Sequence, residues 1–144
     1  MKIRSMAASD LGAVTGLCAQ LVEGERSAGE MAERFAKIAG DSRHLMVVAV
    51  DGEDRAVAWM HLHETFLFVA EPCLQVFALV VDESCRGRGV GRLLMAFAER
   101  EASERGLKRV YLHSQIARAE AHAFYERLGY AKLKTQHAFE KRPA

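Results

Sequence analysis

An α/β fold with a mixed sheet is predicted by three observations. An apolar run from Leu74 to Val81 enters a glycine-rich loop and emerges as an amphipathic helix, and a second strand-like run follows that helix. Upstream, an Asp-Gly turn separates two β-rich runs. The first two features form a strand, crossover helix and strand, whose strands should be parallel neighbours with a right-handed crossover. The turn adds an antiparallel hairpin, and the two kinds of pairing together make the sheet mixed.

In chain order, Lys2 to Met6 reads as a short strand. A helix is expected from about Ser9 to Glu23, because Leu11, Val14, Leu17, Cys18, Leu21 and Val22 recur at helical spacing. A second helix is expected over Ala28 to Ala39, with Gly24 and Gly40-Asp41 marking the ends. His44 to Val50 and Ala56 to Glu64 are strands joined by Asp51-Gly52-Glu53-Asp54-Arg55. Thr65 to Pro72 is less regular, and the apolar strand Cys73 to Val81 follows. After the loop, Val90, Leu93, Leu94, Phe97 and Ala98 form one apolar stripe of a helix ending at Arg105, with Gly106 as its cap. A strand from Lys108 to Ser114, a helix from about Arg118 to Leu128 and two terminal strands complete the expected sheet.

The chain has 144 residues, half of them hydrophobic, enough for one domain spanning 1–144 with a real core. It shows no repeat, low-complexity tract or linker, and its only prolines are Pro72 and Pro143. Its formal charge is +1 with basic residues spread along the chain, which argues against a nucleic-acid partner. No run approaches the ~18–20 apolar residues of a membrane helix, and Met1-Lys2-Ile3-Arg4-Ser5 lacks the apolar stretch of a secretory signal. A cytoplasmic location without membrane contact is expected. Cys18, Cys73 and Cys85 offer neither a disulfide framework nor metal-ligand spacing, so free thiols and no metal are expected.

The chemistry concentrates at Arg86-Gly87-Arg88-Gly89-Val90-Gly91-Arg92. Glycines let backbone approach an anion, a helix start offers unpaired N–H groups and a positive dipole end, and arginines add charge. A ligand bearing a diphosphate fits such a loop. A P-loop would need Gly-Lys-Ser/Thr at its end, and a dinucleotide fingerprint would need glycine where Arg92 stands. Both readings fail on spacing.

What remains, Arg86-x-x-Gly89-x-Gly91, resembles the signature of the GNAT family, the Gcn5-related N-acetyltransferases that use acetyl-coenzyme A. Two further segments carry the resemblance. Leu79-Val80-Val81-Asp82 is similar to the strand that contacts the pantetheine arm, and Ala121-x-x-Phe124-Tyr125-x-x-Leu128-Gly129-Tyr130 is similar to the family's late helix. The resemblance implies a mixed sheet of about six to seven strands with splayed parallel central strands, flanked by about four helices.

It also implies roles. Arg86, Gly87, Arg88, Gly89, Val90, Gly91 and Arg92 would wrap the pyrophosphate, with Gly89 and Gly91 needed for close approach. The main chain of Leu79, Val80 and Val81 would pair with pantetheine, although their side chains read as plain core. Tyr125 would donate a proton or hydrogen bond to the departing thiolate; without the family it reads as one residue of the apolar face made by Ala121, Phe124, Tyr125 and Leu128. Many members have asparagine where Arg118 stands; a phosphate contact and a solvent-facing helix start are both open readings for this arginine. Cys85, just before the loop, reads as packing beneath it.

The departure from the family pattern lies on Cys73 to Val81. Many members carry a glutamate there, and the matching positions hold Gln75 and Phe77, neither of which takes a proton at neutral pH. Gln75 is expected to hold a relaying water. The terminal base then lies elsewhere, among His61, His63, Glu64 and His113, and strand alternation puts His61 and His63 on one face and Glu64 on the other.

The implied activity is acetyl transfer from acetyl-CoA to a primary amine of a small molecule or peptide, by direct attack in a ternary complex. The acceptor cleft would be formed by the first half and the last strands, with Ser27 to Ala39 as one wall and His137 and Phe139 near the other end. A binding module that keeps acetyl-CoA without turnover is the alternative, and an interaction partner of the toxin-antitoxin kind is a third. The family's frequent dimers extend the expectation to a homodimer.

Overall fold

A computed structural model of the chain describes residues 1–21, 24 and 26–144. Residues Met1–Leu112 form one compact unit and His113–Ala144 a second. The first unit is built on five strands, β1 (Lys2–Ser5), β2 (His44–Val50), β3 (Ala56–Thr65), β4 (Cys73–Val81) and β5 (Val110–Leu112), adjacent in that order. The first four pair antiparallel and β4 pairs with β5 in parallel. The mixed sheet and the hairpin are therefore as the sequence predicts.

Asp51 builds the hairpin turn. Its carboxylate accepts from the backbone N–H of Glu53 at 2.9 Å and of Arg55 at 3.0 Å, and Asp54 takes the left-handed φ of +60° that closes the loop. The turn sets Val50 opposite Ala56, and a one-residue bulge next to it, which skips Val57, then places His44 opposite His63 and Met46 opposite His61.

Helices α1 (Leu11–Cys18) and α2 (Ala28–Ala39) cover one face of the sheet. Val14, Leu17 and Cys18 pack with Val48, Val50, Trp59 and Val80, and Met31 and Phe35 of α2 join them. Helix α3 (Val90–Glu104) contacts β3, β4 and β5 and buries Val90, Leu94, Met95, Ala98 and Ala102. Alternation along β2 and β3 supplies the matching side, Val47, Ala49, Met60 and Leu62. Met60, Leu62, Leu94 and Met95 have no accessible surface, and each such side chain contributes about 1.5–3 kcal/mol by leaving water.

Several boundaries differ from expectation. The first helix begins later, because Asp10 folds back to accept from Ala7 N–H at 2.7 Å and holds Ala8–Asp10 as a single 3-10 turn. It ends at Cys18, where Gln20 and Leu21 close tighter bonds to Leu17 and Cys18. The expected extension through Val22 and Glu23 lies outside the described residues. The last strand of the first unit covers three residues, shorter than Lys108 to Ser114, since the ladder with β4 spans only Leu74 to Val76.

In the second unit, α4 (Ala119–Arg127) matches the expected helix. The two terminal strands do not form: residues 130–144 carry no strand, so the sheet has five strands where six or seven were expected. Leu133 and Phe139, which recur at strand spacing in that segment, stay exposed. Among the described residues no helix is long and apolar enough to cross a membrane.

Candidate functional site

The glycine loop sits between β4 and α3. Asp82 starts it, accepting from Ser84 N–H and Ser84 Oγ, both at 2.8 Å, and so winds Glu83–Cys85 into one 3-10 turn. Gly87 and Gly89 then adopt φ of +74° and +81°, a left-handed conformation that other residues reach at a cost of about 1–2 kcal/mol. A Cβ added at either would meet open space. Gly89 is the N-cap of α3 and supplies no side-chain acceptor, so the first-turn N–H groups of this 15-residue helix have no side-chain cap. The loop thus presents a dipole end and free space for an anion.

The structure adds detail to this loop. Left-handed backbone falls on Gly87 and Gly89, whereas Gly91 lies inside α3. The three arginines also divide. Arg86 is tied down, donating from Nε to Val81 O and from Nη2 to Gln20 Oε1, each at 3.1 Å, while Arg88 and Arg92 are exposed. Arg86 therefore braces the loop against the end of α1. Cys85 is half-buried, its Sγ 3.7 Å from Ser84 Oγ. Cys18 and Cys73 lie in the core, where burial pushes their thiols up.

Beside the loop, β4 has an open side. Its ladder with β5 stops at Val76, so among the described residues β3 is the only strand that Phe77 to Val81 pair with, and Val81 O also accepts from Arg86 Nε. Leu79, Val80 and Val81 lie on that stretch. Val80 packs into the core beneath α1, as its apolar side chain predicts. The β3–β4 register also slips between His61 and Leu62, which leaves Phe77 as an extra residue on β4.

At the opposite end of β4, Gln75 pairs across to His63. Around that pair lie His44, His61 and Phe77. His44 Nδ1 and His61 Nε2 are 2.8 Å apart, His63 stacks on Phe77 with centroids at 5.3 Å, and His44 and His63 lie 4.3 Å apart. Burial pushes the His61 imidazole down to about 4, helped by the neighbouring His44 and His63. Glu64 points to the opposite face, as alternation predicts, and binds Arg105 at 2.8 Å. His113 follows the end of β5 and begins the second unit. Sequence reading missed His44 and Thr65; counting residue by residue from the turn pair Val50–Ala56 would set His44 opposite Leu62, and the irregularity between Ala49 and Val50 shifts it by one residue to His63.

Within the second unit, Tyr125 lies on the inner stripe of α4 with Ala121, Phe124 and Leu128, all half-buried. Its ring meets Phe124 at 5.0 Å and Tyr130 at 6.0 Å. Burial raises its hydroxyl above the ordinary tyrosine value, and the charge of Arg118 at the start of α4 opposes this. His137 and Phe139 are 6.4 Å apart in the strandless segment. Among the described residues no group of three His, Cys, Asp or Glu side chains is arranged to hold a metal ion.

Comparison with known proteins decides the family. The model of the acetyltransferase (GNAT) family matches residues 16–130. The chain belongs to the GNAT acetyltransferase family. It is thus an acyltransferase, of a family that uses acetyl-CoA. Among curated relatives, the acetyltransferase is 30% identical over 131 residues to the aminoalkylphosphonate N-acetyltransferase of Salmonella typhimurium, covering 90% of this chain and 84% of that one. It is 31% identical over 123 residues to the mycothiol acetyltransferase of Rhodococcus opacus, covering 83% of this chain but only 40% of that longer relative. Among solved structures, a protein of Bacillus halodurans C-125 described as a transcriptional regulator superposes with a TM-score of 0.84 at 26% identity over 99% of both chains. AAC(6')-Iy, solved with the bisubstrate analogue CoA-S-monomethyl-acetylneamine, shares the fold with a TM-score of 0.83 at 18% identity, over 99% of this chain and 98% of that one.

Proposed function

We propose that the protein moves an acetyl group from acetyl-CoA to a primary amine of a small molecule or peptide, by direct attack of the amine on the thioester in a ternary complex. The observation that carries this reading is the uncapped start of α3 behind left-handed Gly87 and Gly89, next to the unpaired side of β4. The pyrophosphate lies against the N–H groups at 87–92, with Arg88 and Arg92 adding charge, while Arg86 holds the loop in place. The pantetheine arm adds along Leu79 to Val81, where one main-chain N–H polarises the thioester carbonyl.

The amine must be neutral to attack. An alkylammonium with a pKa near ~10.4 is only about one part in a thousand neutral near pH 7.4, a cost of roughly 4 kcal/mol. Gln75 holds a water for the departing proton, and Tyr125 protonates the leaving thiolate. The relatives' names favour small amines as acceptors, with aminoalkylphosphonates the first to try. A binding module without turnover is the second reading, favoured by a glutamine at position 75.

The test is acetyl-CoA-dependent release of free thiol against a panel of aminoalkylphosphonates, amino sugars, polyamines and peptides, with product masses read afterwards. An N-acetylated product supports the enzyme reading and names the acceptor. Coenzyme A binding with silence across the panel supports the binding module.

A further inference from the structure

We infer that His63 is the catalytic base of acetyl transfer, taking on β3 the duty that Gln75 cannot perform on β4. This rests on the acetyl-transfer reading above. His63 and Gln75 are directly paired across the antiparallel β3–β4 ladder, which sets their Cβ atoms about 4.5–5.5 Å apart on one face of the sheet. A proton-accepting group at His63 thus serves the same stretch of β4 that a carboxylate at position 75 would serve.

Hydrogen bonding orients the ring. Thr65 Oγ1 lies 2.7 Å from His63 Nδ1, and the same hydroxyl donates to His63 O at 3.3 Å. We assign the hydroxyl proton to that carbonyl, so that the hydroxyl accepts from Nδ1–H and the lone pair of the imidazole is left on Nε2. Stacking on Phe77, nearly parallel at 15°, fixes the ring plane. A base held by a third group, with its free nitrogen defined, is the arrangement general-base catalysis uses.

The other candidates on this strand are occupied. Glu64 faces α3 and is bound to Arg105. His61 Nε2 is engaged with His44 Nδ1 over 2.8 Å, so that nitrogen is not open to a substrate proton. The groups around His63 are His44, Arg43 and Asp41 from β2 and the turn before it, His61 and Glu64 on its own strand, and uncharged Gln75 and Phe77 on β4. Desolvation, then His44 and Arg43, push its imidazole below 6.5 against the pull of Asp41 and Glu64. It is therefore neutral, with its lone pair available, at physiological pH.

A neutral amine forms a C–N bond to the thioester carbonyl carbon, and its N–H proton passes to His63 Nε2, directly or through the water at Gln75. The C–S bond breaks, sulfur keeps the electron pair and takes a proton from Tyr125. His63 gives its proton to solvent and Tyr125 regains one, leaving the amide and free coenzyme A.

The experiment is the pH dependence of kcat for wild type, His63→Gln and Thr65→Val, using acetyl-CoA with 2-aminoethylphosphonate or the fastest acceptor of the panel. His63→Gln should lower kcat by roughly 100-fold and abolish the acidic limb that wild type shows below pH 6.5, with coenzyme A affinity unchanged. Thr65→Val should lower kcat by about tenfold and shift the ring proton to the other nitrogen in the ¹⁵N spectrum. An active wild type with the same kcat and acidic limb in His63→Gln overturns the inference and leaves the acetyl-transfer reading standing. A wild type silent on every amine overturns that reading, and this inference with it. Should His63→Gln fail to fold, the wild-type ¹⁵N spectrum decides: Nδ1–H supports the assignment and Nε2–H overturns it.

Discussion

Glu64 and Arg105 join β3 to the end of α3 through a 2.8 Å ion pair in which both side chains are about four-fifths shielded from water. Arg105 also donates to Ser42 O at 3.1 Å, so one guanidinium holds the helix end, the strand and the turn before β2 together. Glu64→Gln should lower unfolding free energy by about 1–2 kcal/mol, between the values for exposed and buried pairs. Urea denaturation measures this, and turnover should be unchanged because Glu64 lies on the face opposite His63.

Asp10 makes a second, sharper anchor. It is buried, takes two hydrogen bonds from Arg4 at 2.8 and 3.0 Å, and the Arg4 guanidinium holds its carboxyl below the usual 3.8. A carboxyl with a lowered folded-state pKa contributes stability above its unfolded value and loses it as pH falls through the folded one. Asp10→Asn should therefore cost about 1.5–3 kcal/mol at neutral pH. The gap to wild type should close below pH 3.8, as followed by thermal melts across pH.

His61 predicts pH dependence of the other kind. Its folded-state pKa of about 4 lies below the unfolded 6.5, so the unfolded chain binds the proton more readily as pH falls between the two. Wild type should lose stability through that window relative to His61→Gln. Parallel melts of the two proteins would show curves that converge or cross toward pH 4, and curves that stay parallel would refute the prediction.

Gly89→Ala tests the loop. The left-handed φ of +81° makes alanine cost about 1–2 kcal/mol, and the new methyl enters the open space ahead of α3. Coenzyme A affinity, by calorimetry, should fall by about tenfold or more, while Gly91→Ala inside the helix should fold more stably by up to ~1 kcal/mol.

Tyr125→Phe separates chemistry from packing. The hydroxyl is held above its ordinary value of 10 and so stays protonated throughout neutral pH, the state an acid needs. If it protonates the thiolate, turnover should fall ~10 to 1000-fold with coenzyme A binding intact. Unchanged turnover would return Tyr125 to the hydrophobic stripe of α4.

The sequence by itself determined the sheet and the loop. Apolar runs and the Asp51 turn set β2, β3 and β4, and glycine at 87 and 89 set the backbone before α3, because these signals are local: period, turn chemistry and φ. It also determined the family, through segments whose spacing survives in a single chain. The tertiary structure decided what depends on residues far apart in sequence. The role of Arg86 as a brace rests on Gln20, 66 residues away, and no spacing rule reports that contact. Residues 130–144 alternate at strand spacing through Leu133 and Phe139 and yet carry no strand, because a strand also needs a neighbour to pair with, which local spacing does not report. The sorting of Glu64 from His63 became firm only when Arg105 claimed one and Thr65 oriented the other, since a side chain's proton chemistry is set by the partners that folding brings to it.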